Sequence, residues 1–473
     1  MRQVIAPCTC VITLFLLSGA TDAFGVRPLV SLSTNARVAK TLLQLDDRTT
    51  IEEDWPLPLP MWKSPAHNNV CEQTGVTLSR YMMEMARANP DLDDIESIMT
   101  SLQVACKTIS SLVRRSSLDG LSGLQDESGN SVNVQGEQQK KLDVIANDVL
   151  KKALHWSGKL STLASEEEDE PVLVDSFGNT VYSGEIVVEE SEQYVAVFDP
   201  LDGSSNVDAN IPTGTIFGIF KRNDECGIVD DFYDEDGGEL INDTEKQCLA
   251  DTLQPGKNLV AAGYCLYSAA TTFVFTLGNG VFGFTLDETI GEFCLTHPNM
   301  IIPARGSVYS FNEANRWDWD YPLQEYIADI QQGLGDTNRR YTARYIGSMV
   351  ADIHRTLLYG GIFGYPADKK NPDGKLRLLY EAAPMSFLVE QAGGLALTGN
   401  NQIMDLEPQS VHQRVPCILG SPADVSELRR YYEASDDPEL AARCTARLKK
   451  TDIFTSTTNT TSTTLEIYQE FEL

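Results

Sequence analysis

The chain has 473 residues, 42% hydrophobic and 22% charged, which is ordinary globular composition and enough to bury a large core. Its formal net charge of −31 argues against nucleic acid as the main partner, because phosphate backbones recruit Lys and Arg. The 10 cysteines and 5 histidines show no CxxC, HExxH or zinc-ribbon spacing, so any bound metal needs hard oxygen ligands, which points to magnesium or manganese.

In chain order, Arg2 precedes the apolar stretch Val11–Leu17, and small residues follow up to Ala23. That pattern predicts a signal peptide over 1–23, too short for a membrane span. Residues 24–45 carry Arg27, Arg37 and Lys40 with no acid before Asp46, as a transit peptide does. No other run is apolar for long enough to cross a bilayer, and no membrane partner is expected. "DWPLPLPMW" punctuates a linker over 46–69.

From about Val70 the pattern turns helical. "QQKKLDVIANDVLKKAL" sets Leu142, Ile145, Val149 and Ala153 at helical spacing, with Asp143 beside that stripe. Strands are predicted at Tyr194–Phe198, Thr215–Phe220, Leu259–Ala262 and within Thr272–Thr285. "GNGVFG", residues 278–283, matches the dinucleotide fingerprint GxGxxG, but it lies between strand-like runs with Asn279-Gly280 at the turn, and so reads as a hairpin. Further on, "RYIGSMVADIHRTLLYGG" predicts a helix with Val350, Ile353 and Leu357 inward. "KLRLLYE" reads as a strand, and "PMSFLVEQAGG" as a helix entered at Pro384 and ended by Gly393-Gly394. Helices and strands interleave, so the fold class is α/β or α+β in layers. The expected division is an N-terminal subdomain over 70–270, a C-terminal catalytic subdomain over 271–435, and a low-complexity tail over 436–473 containing "TSTTNTTSTT".

The chemistry concentrates at "FDPLDGSS", residues 198–205, where the apolar run Tyr194–Phe198 ends in Asp199 and Asp202. Burying two carboxylates together is costly unless a divalent cation neutralises them. Pro200 stiffens the turn, Gly203 allows close backbone approach, and Ser204 and Ser205 offer amides at a possible helix start. Further acids stand at Asp143 and, in "SEEED", at Glu166 and Glu167. Two-residue alternation along "KLRLLYE" would place Lys375, Arg377 and Glu381 on one strand face. Taken singly, "SEEED" reads equally as a solvated loop and the Lys375/Arg377/Glu381 ladder as surface ion pairing.

"FDPLDGSSN" is similar to the signature of magnesium-dependent, lithium-sensitive sugar and inositol phosphatases. "GTIFGIF", "QPGKNLVAAGYCLY", "ARYIGSMVADIHRTLLYGGIFGYP", "GKLRLLYEAAPMSFLVEQAGG" and "VHQRVPCILGSP" resemble the fructose-1,6-bisphosphatase family in particular, from about residue 70 to 435. The resemblance implies a layered αβαβα fold of two packed subdomains, usually a homotetramer, that hydrolyses the 1-phosphate of fructose 1,6-bisphosphate. It implies magnesium on Glu166, Glu167, Asp199, Asp202, Glu381 and the Leu201 carbonyl, with Asp143 and Glu167 helping to deprotonate the attacking water. Gly203, Ser204 and Ser205 would hold the 1-phosphate. Asn312, Tyr345, Tyr365 and Lys375 would hold the sugar and 6-phosphate, with Arg377 in the same pocket and Arg344 reaching in from a neighbouring subunit. Sedoheptulose-1,7-bisphosphatase activity and a non-catalytic sugar-phosphate scaffold are the alternatives. "FNEAN" departs from the family in having Ala314 where glycine is usual.

Regulation is also implied by resemblance. AMP-inhibited relatives carry a GTGE-like loop and a Lys-Tyr pair; the aligned stretches here are "NPDLDDIESIM", with Asp93, Asp94 and Glu96, and Gln193-Tyr194. Weak or no AMP inhibition is expected. The inserted loop over 222–250 resembles that of the plastid form, with Cys226 and Cys248 near its ends as a thioredoxin-reducible disulfide; two ordinary thiols are the alternative. Asp224 to Glu245 holds ten acids and no Lys or Arg, so this loop repels itself. The joined signal and transit segments resemble the two-part plastid targeting sequence of diatom-like algae, with plain secretion as the alternative.

Overall fold

The computed structural model describes residues 75–121, 123, 140–168, 171–173, 193–222 and 249–434. The two targeting segments, the linker, most of the acidic insertion with Cys226 and Cys248, and the tail lie outside these residues. Among the described residues no helix is long and apolar enough to cross a membrane.

Five layers stack in the order αβαβα, and the period of each strand shows why. In β3 (Tyr194–Asp202) every residue is buried, because the sheet is covered on both faces. Tyr194, Ala196 and Phe198 enter one core with helices α1 (Leu78–Ala88), α2 (Asp93–Arg115) and α3 (Lys141–His155). Val195 and Val197 point the other way, into a second core with α5 (Met349–Tyr359) and α6 (Ala383–Gln391). This central helical layer also covers the second sheet. Its far face packs on α4 (Tyr321–Gln332) and α7 (Pro422–Glu433) through Phe311, Tyr326, Ile418 and Leu428.

Among the described residues the first sheet has eight strands in the order β2-β1-β3-β4-β5-β6-β7-β8, with β2 at Val172–Leu173. Only β1 (Leu160–Ser165) and β3 pair in parallel; the other neighbours are antiparallel. From β4 (Thr213–Lys221) through β5 (Leu259–Tyr267), β6 (Thr271–Thr276) and β7 (Val281–Asp287) to β8 (Glu292–His297), the chain runs as a meander. "GNGVFG" closes the β6–β7 hairpin, with Gly278 and Gly280 at positive φ. The second sheet is built from β9 (Val308–Ser310), β10 (Thr342–Ala343), β11 (Ile362–Tyr365), β13 (Leu395–Leu397) and β15 (Cys417–Gly420) in the order β10-β9-β11-β15-β13, and so starts at Val308. The change of sheet therefore falls between His297 and Val308, beyond the expected division at 270.

Three local expectations are corrected. The buried face of α3 is Leu142, Ala146, Leu150 and Leu154 with Asp143 and Asn147, whereas Ile145, Val149 and Ala153 sit at its flank. The polar Asp143 and Asn147 mask this face from a hydrophobic count. The helix expected from Arg344 begins only at Met349, because residues 344–348 serve a turn around Asp352 instead. Finally, "KLRLLYE" is a strand only over β12 (Leu376–Arg377); Leu378–Ala382 then coil into one wide helical turn leading into α6. The Lys375/Arg377/Glu381 strand face does not exist.

Candidate active site

The parallel pairing of β1 and β3 brings their carboxyl ends to the same edge of the sheet, a common position for sites in α/β folds. Ser165 pairs with Phe198, so the Glu166–Glu167 turn follows β1 just where Asp199 follows Phe198. The Glu166 amide donates to the Phe198 carbonyl at 3.2 Å and locks the two ends together.

Asp199 and Asp202 should face opposite sides of a regular strand, being three positions apart. They do not, because Asp199 pairs with Ile216 but Asp202 with Gly214, a bulge of one extra residue in β3. The Thr215 hydroxyl pins that bulge by donating to the Pro200 carbonyl at 2.8 Å, and the Tyr267 hydroxyl lies 2.7 Å from Thr215 Oγ1. The Leu201 amide donates to Asp199 Oδ1 at 2.9 Å. The chain then turns at Gly203, φ 73°, a backbone state that favours glycine, and enters the short helix Ser204–Ala209.

The helical turn after β12 brings Glu381 into the same volume. Asp199, Asp202 and Glu381 each offer an oxygen within 4.8 Å of the others, and all three are buried. The Arg377 amide donates to Glu381 Oε2, and its guanidinium lies 3.7 Å from Glu166 Oε1. Arg377 and Lys375 together do not balance this many acids. Burial pushes Glu166, Asp202 and Glu381 up to about 7, each against partial relief, and drives Asp199 well above the carboxylate range with help from the Glu166 charge. A buried all-oxygen cluster held in this state fits a hard divalent cation.

Asp143 enters from the first turn of α3. Its Oδ2 accepts from the Lys140 amide at 3.0 Å, while Oδ1 is buried with no hydrogen-bond partner among the described residues. Burial raises it to about 7, opposed by the Lys140 bond.

All these groups line one cavity of about 370 Å³, together with Glu167, Leu201, Gly203, Ser204, Ser205, Tyr365, Lys375 and Arg377. The Lys375 ammonium stands 5.5 Å from the centre of the Tyr365 ring, and the Tyr345 and Tyr365 hydroxyls are 2.8 Å apart. Asn312, Arg344 and Tyr345 do not line this cavity, although Tyr345 reaches its wall through Tyr365. The Asn312 side chain caps its own short helix by accepting from the Ala314 amide at 3.2 Å, and Arg344 is exposed. Lys140, Gly347, Met349 and Leu376 also line the cavity, outside the expected set. Met349 opens α5, which begins later than the sequence pattern predicts, and Lys140 carries no sequence signal beyond its nearness to Asp143.

A layered αβαβα sheet with acids and phosphate-sized donors at one edge defines the class: metal-dependent sugar phosphatases. The chain belongs, within that class, to the fructose-1,6-bisphosphatase family. Residues 76–298 match the family model "Fructose-1-6-bisphosphatase, N-terminal domain" and residues 302–433 match the "C-terminal domain". The chain is 50% identical over 355 residues to "Fructose-1,6-bisphosphatase 1, chloroplastic" of Arabidopsis thaliana, covering 75% of this chain and 80% of that protein. It is 48% identical over 355 residues to the chloroplastic protein of Spinacia oleracea, covering 75% and 81% respectively. Among solved structures, the Leishmania major fructose-1,6-bisphosphatase in holo form superposes with a TM-score of 0.64 at 39% identity, over 76% of this chain and 99% of that one.

Proposed function

We propose that this chain hydrolyses the 1-phosphate of fructose 1,6-bisphosphate to give fructose 6-phosphate and inorganic phosphate. The observation that carries this reading is the buried Asp199/Asp202/Glu381 cluster sharing one cavity with the Gly203–Ser205 turn and Lys375. Glu166, Glu167, Asp199, Asp202, Glu381 and the Leu201 carbonyl would hold magnesium ions, with manganese as a substitute. When bound, magnesium lowers the pKa of a coordinated water and neutralises charge on the phosphoryl oxygens.

The chain's own residues do the rest. The leading amides of the Ser204–Ala209 helix have no acceptor within that helix, and with the Ser204 and Ser205 hydroxyls they hold the 1-phosphate. Asp143, with one oxygen unpartnered and a pKa near neutrality, accepts the proton of the attacking water, assisted by Glu167. At the other end Lys375, Tyr345 and Tyr365 bind the 6-phosphate, and Arg377 keeps Glu166 and Glu381 in place.

The finer reading extends to assembly, control and location. The exposed Arg344 serves the cavity of a neighbouring copy in a homotetramer, and Asn312 approaches the sugar there. Cys226 and Cys248 form a disulfide that thioredoxin reduces to activate the enzyme. Residues 1–45 direct the protein to the plastid, a reading supported by the chloroplastic names of its relatives.

The test is phosphate release from fructose 1,6-bisphosphate at limiting magnesium, after oxidation and after dithiol reduction. Activity only after reduction supports both the reaction and the switch. Equal activity in both states removes the switch, and no release in either removes the reaction.

A further inference from the structure

Besides Asp143 on α3 and Asp199 and Asp202 on β3, the carboxylates of the site come from two turns far apart in sequence, Glu166–Glu168 and Leu378–Ala382. Their negative charges push those turns apart, so something must tie them. Arg377 reaches Glu166 and Glu381 from within the cavity, and a second side chain, which does not line it, touches both turns. His412 Nε2 lies 2.9 Å from the Glu168 carbonyl oxygen, and His412 Nδ1 lies 2.9 Å from the Tyr380 hydroxyl. A carbonyl oxygen only accepts, so Nε2 carries the hydrogen; in the neutral ring Nδ1 then accepts from Tyr380. Tyr380 is fully buried and precedes Glu381; Glu168 follows Glu167.

The backbone around His412 is tied to the same turn, since the Leu378 amide donates to the Gln413 carbonyl at 2.7 Å. Glu168 is held from its other side: its Oε1 accepts from Asn147 Nδ2 at 2.9 Å and pairs with Lys151, both on α3. Asn147 Oδ1 in turn accepts from Ser165 at 2.8 Å, and the Ser165 hydroxyl accepts from the Glu167 amide at 3.3 Å. Glu168 therefore points away from the acid cluster and anchors the turn that carries its neighbours. His412 joins this frame to the Leu378–Ala382 turn.

We infer that His412 is a positioning residue that sets the separation of the Glu166–Glu167 turn from Glu381, and so the metal affinity of the site. This rests on the metal-site reading above. Residues that orient metal ligands without touching the ion commonly carry 10–100-fold in affinity.

The experiment titrates Mn²⁺ into the full-length protein and reads free Mn²⁺ by electron paramagnetic resonance, beside kcat at saturating metal and the metal-free melting temperature. His412→Ala should weaken Mn²⁺ binding about tenfold or more while leaving kcat at saturating metal near wild type. His412→Gln, whose amide nitrogen can replace the Nε2 donor, should recover most of that loss. Tyr380→Phe keeps the Glu168 bond and should fall between them. Unchanged Mn²⁺ binding in His412→Ala overturns the inference, as does an equal loss in His412→Ala and His412→Gln. If His412→Ala fails to fold, wild-type Mn²⁺ binding in Tyr380→Phe overturns it instead. A wild-type chain that takes up no Mn²⁺ overturns the metal site itself. Mn²⁺ uptake without phosphate release overturns only the reaction, and the variant series still decides the role of His412.

Discussion

The backbone amide of Val350 donates to Asp202 Oδ2 at 3.4 Å across 148 residues of sequence. One acid of the cluster is thus held by the first turn of α5, whose positive end favours negative charge. The contact compensates Asp202 only in part, since burial still raises its carboxyl to about 7.

Asp202→Asn should therefore separate function from stability. Turnover of fructose 1,6-bisphosphate should fall by at least about a thousandfold, as expected when a ligand that stabilises transition-state charge is lost. The metal-free variant should nonetheless be more stable than wild type at pH 8, by about 2 kcal/mol, because a buried charge facing other acids has been removed. Urea titrations of both metal-free proteins check this. A variant less stable than wild type would show that the cluster is not under charge strain.

The pH dependence of stability follows from the same acids. Asp143, Glu166, Asp202 and Glu381 are raised to about 7 by burial, above their unfolded values of about 4. The native metal-free protein then holds protons that the unfolded chain has released. Its stability falls as pH rises from about 4 through about 7. Magnesium competes with those protons, so its stabilisation should be slight at pH 5 and large at pH 8. Melting curves with and without magnesium across this range measure it; a stabilisation independent of pH would contradict the carboxylate assignment.

Gly214 couples the sheet to the site. It pairs with Asp202, and a Cβ there would lie 2.9 Å from the Cys265 carbonyl oxygen and from both Val350 methyls. Gly214→Ala should push α5 away from Asp202, costing about 2 kcal/mol of stability, within the range for overpacking. The magnesium concentration for half-maximal activity should rise several-fold. Loss of stability with unchanged magnesium dependence would mean that the Val350 contact does not hold the ligand.

The first turn of α2 carries Asp93, Asp94 and Glu96, and Asp94 pairs with Lys159 at 2.6 Å. A nearby cation is therefore engaged, and the acids of this turn repel a nucleotide phosphate. AMP at millimolar concentration should leave the reduced enzyme uninhibited. A titration with micromolar inhibition would refute this.

Several parts of this site follow from short-range chemistry. "FDPLDGSS" announces a buried strand ending in acids, and the "GNGVFG" hairpin is distinguished from a nucleotide loop by its flanking strand patterns. Other parts are hidden by the same local rules. Alternation along "KLRLLYE" pairs Lys375 and Arg377 with Glu381 on a strand, yet Glu381 reaches the cluster through a helical turn that alternation does not describe. In α3 the inward face carries Asp143 and Asn147, which a search for apolar stripes passes over. Met349 and His412 fall within stretches that resemble the family, but nothing local to them marks a role at the site, and Lys140 lies in no such stretch.

The order of apolar and polar residues by itself determined several of the strands and helices, the β6–β7 hairpin among them, and that an acid-rich turn follows the apolar run of β3. Those are properties of a residue and its near neighbours. Tertiary structure decided which acids meet. The parallel pairing of β1 with β3 sets Glu166 beside Asp199, the one-residue bulge against β4 turns Asp199 and Asp202 to the same side, and packing of the Leu378–Ala382 turn between the sheets delivers Glu381. Register and layer packing depend on contacts between distant segments, so no local pattern encodes them.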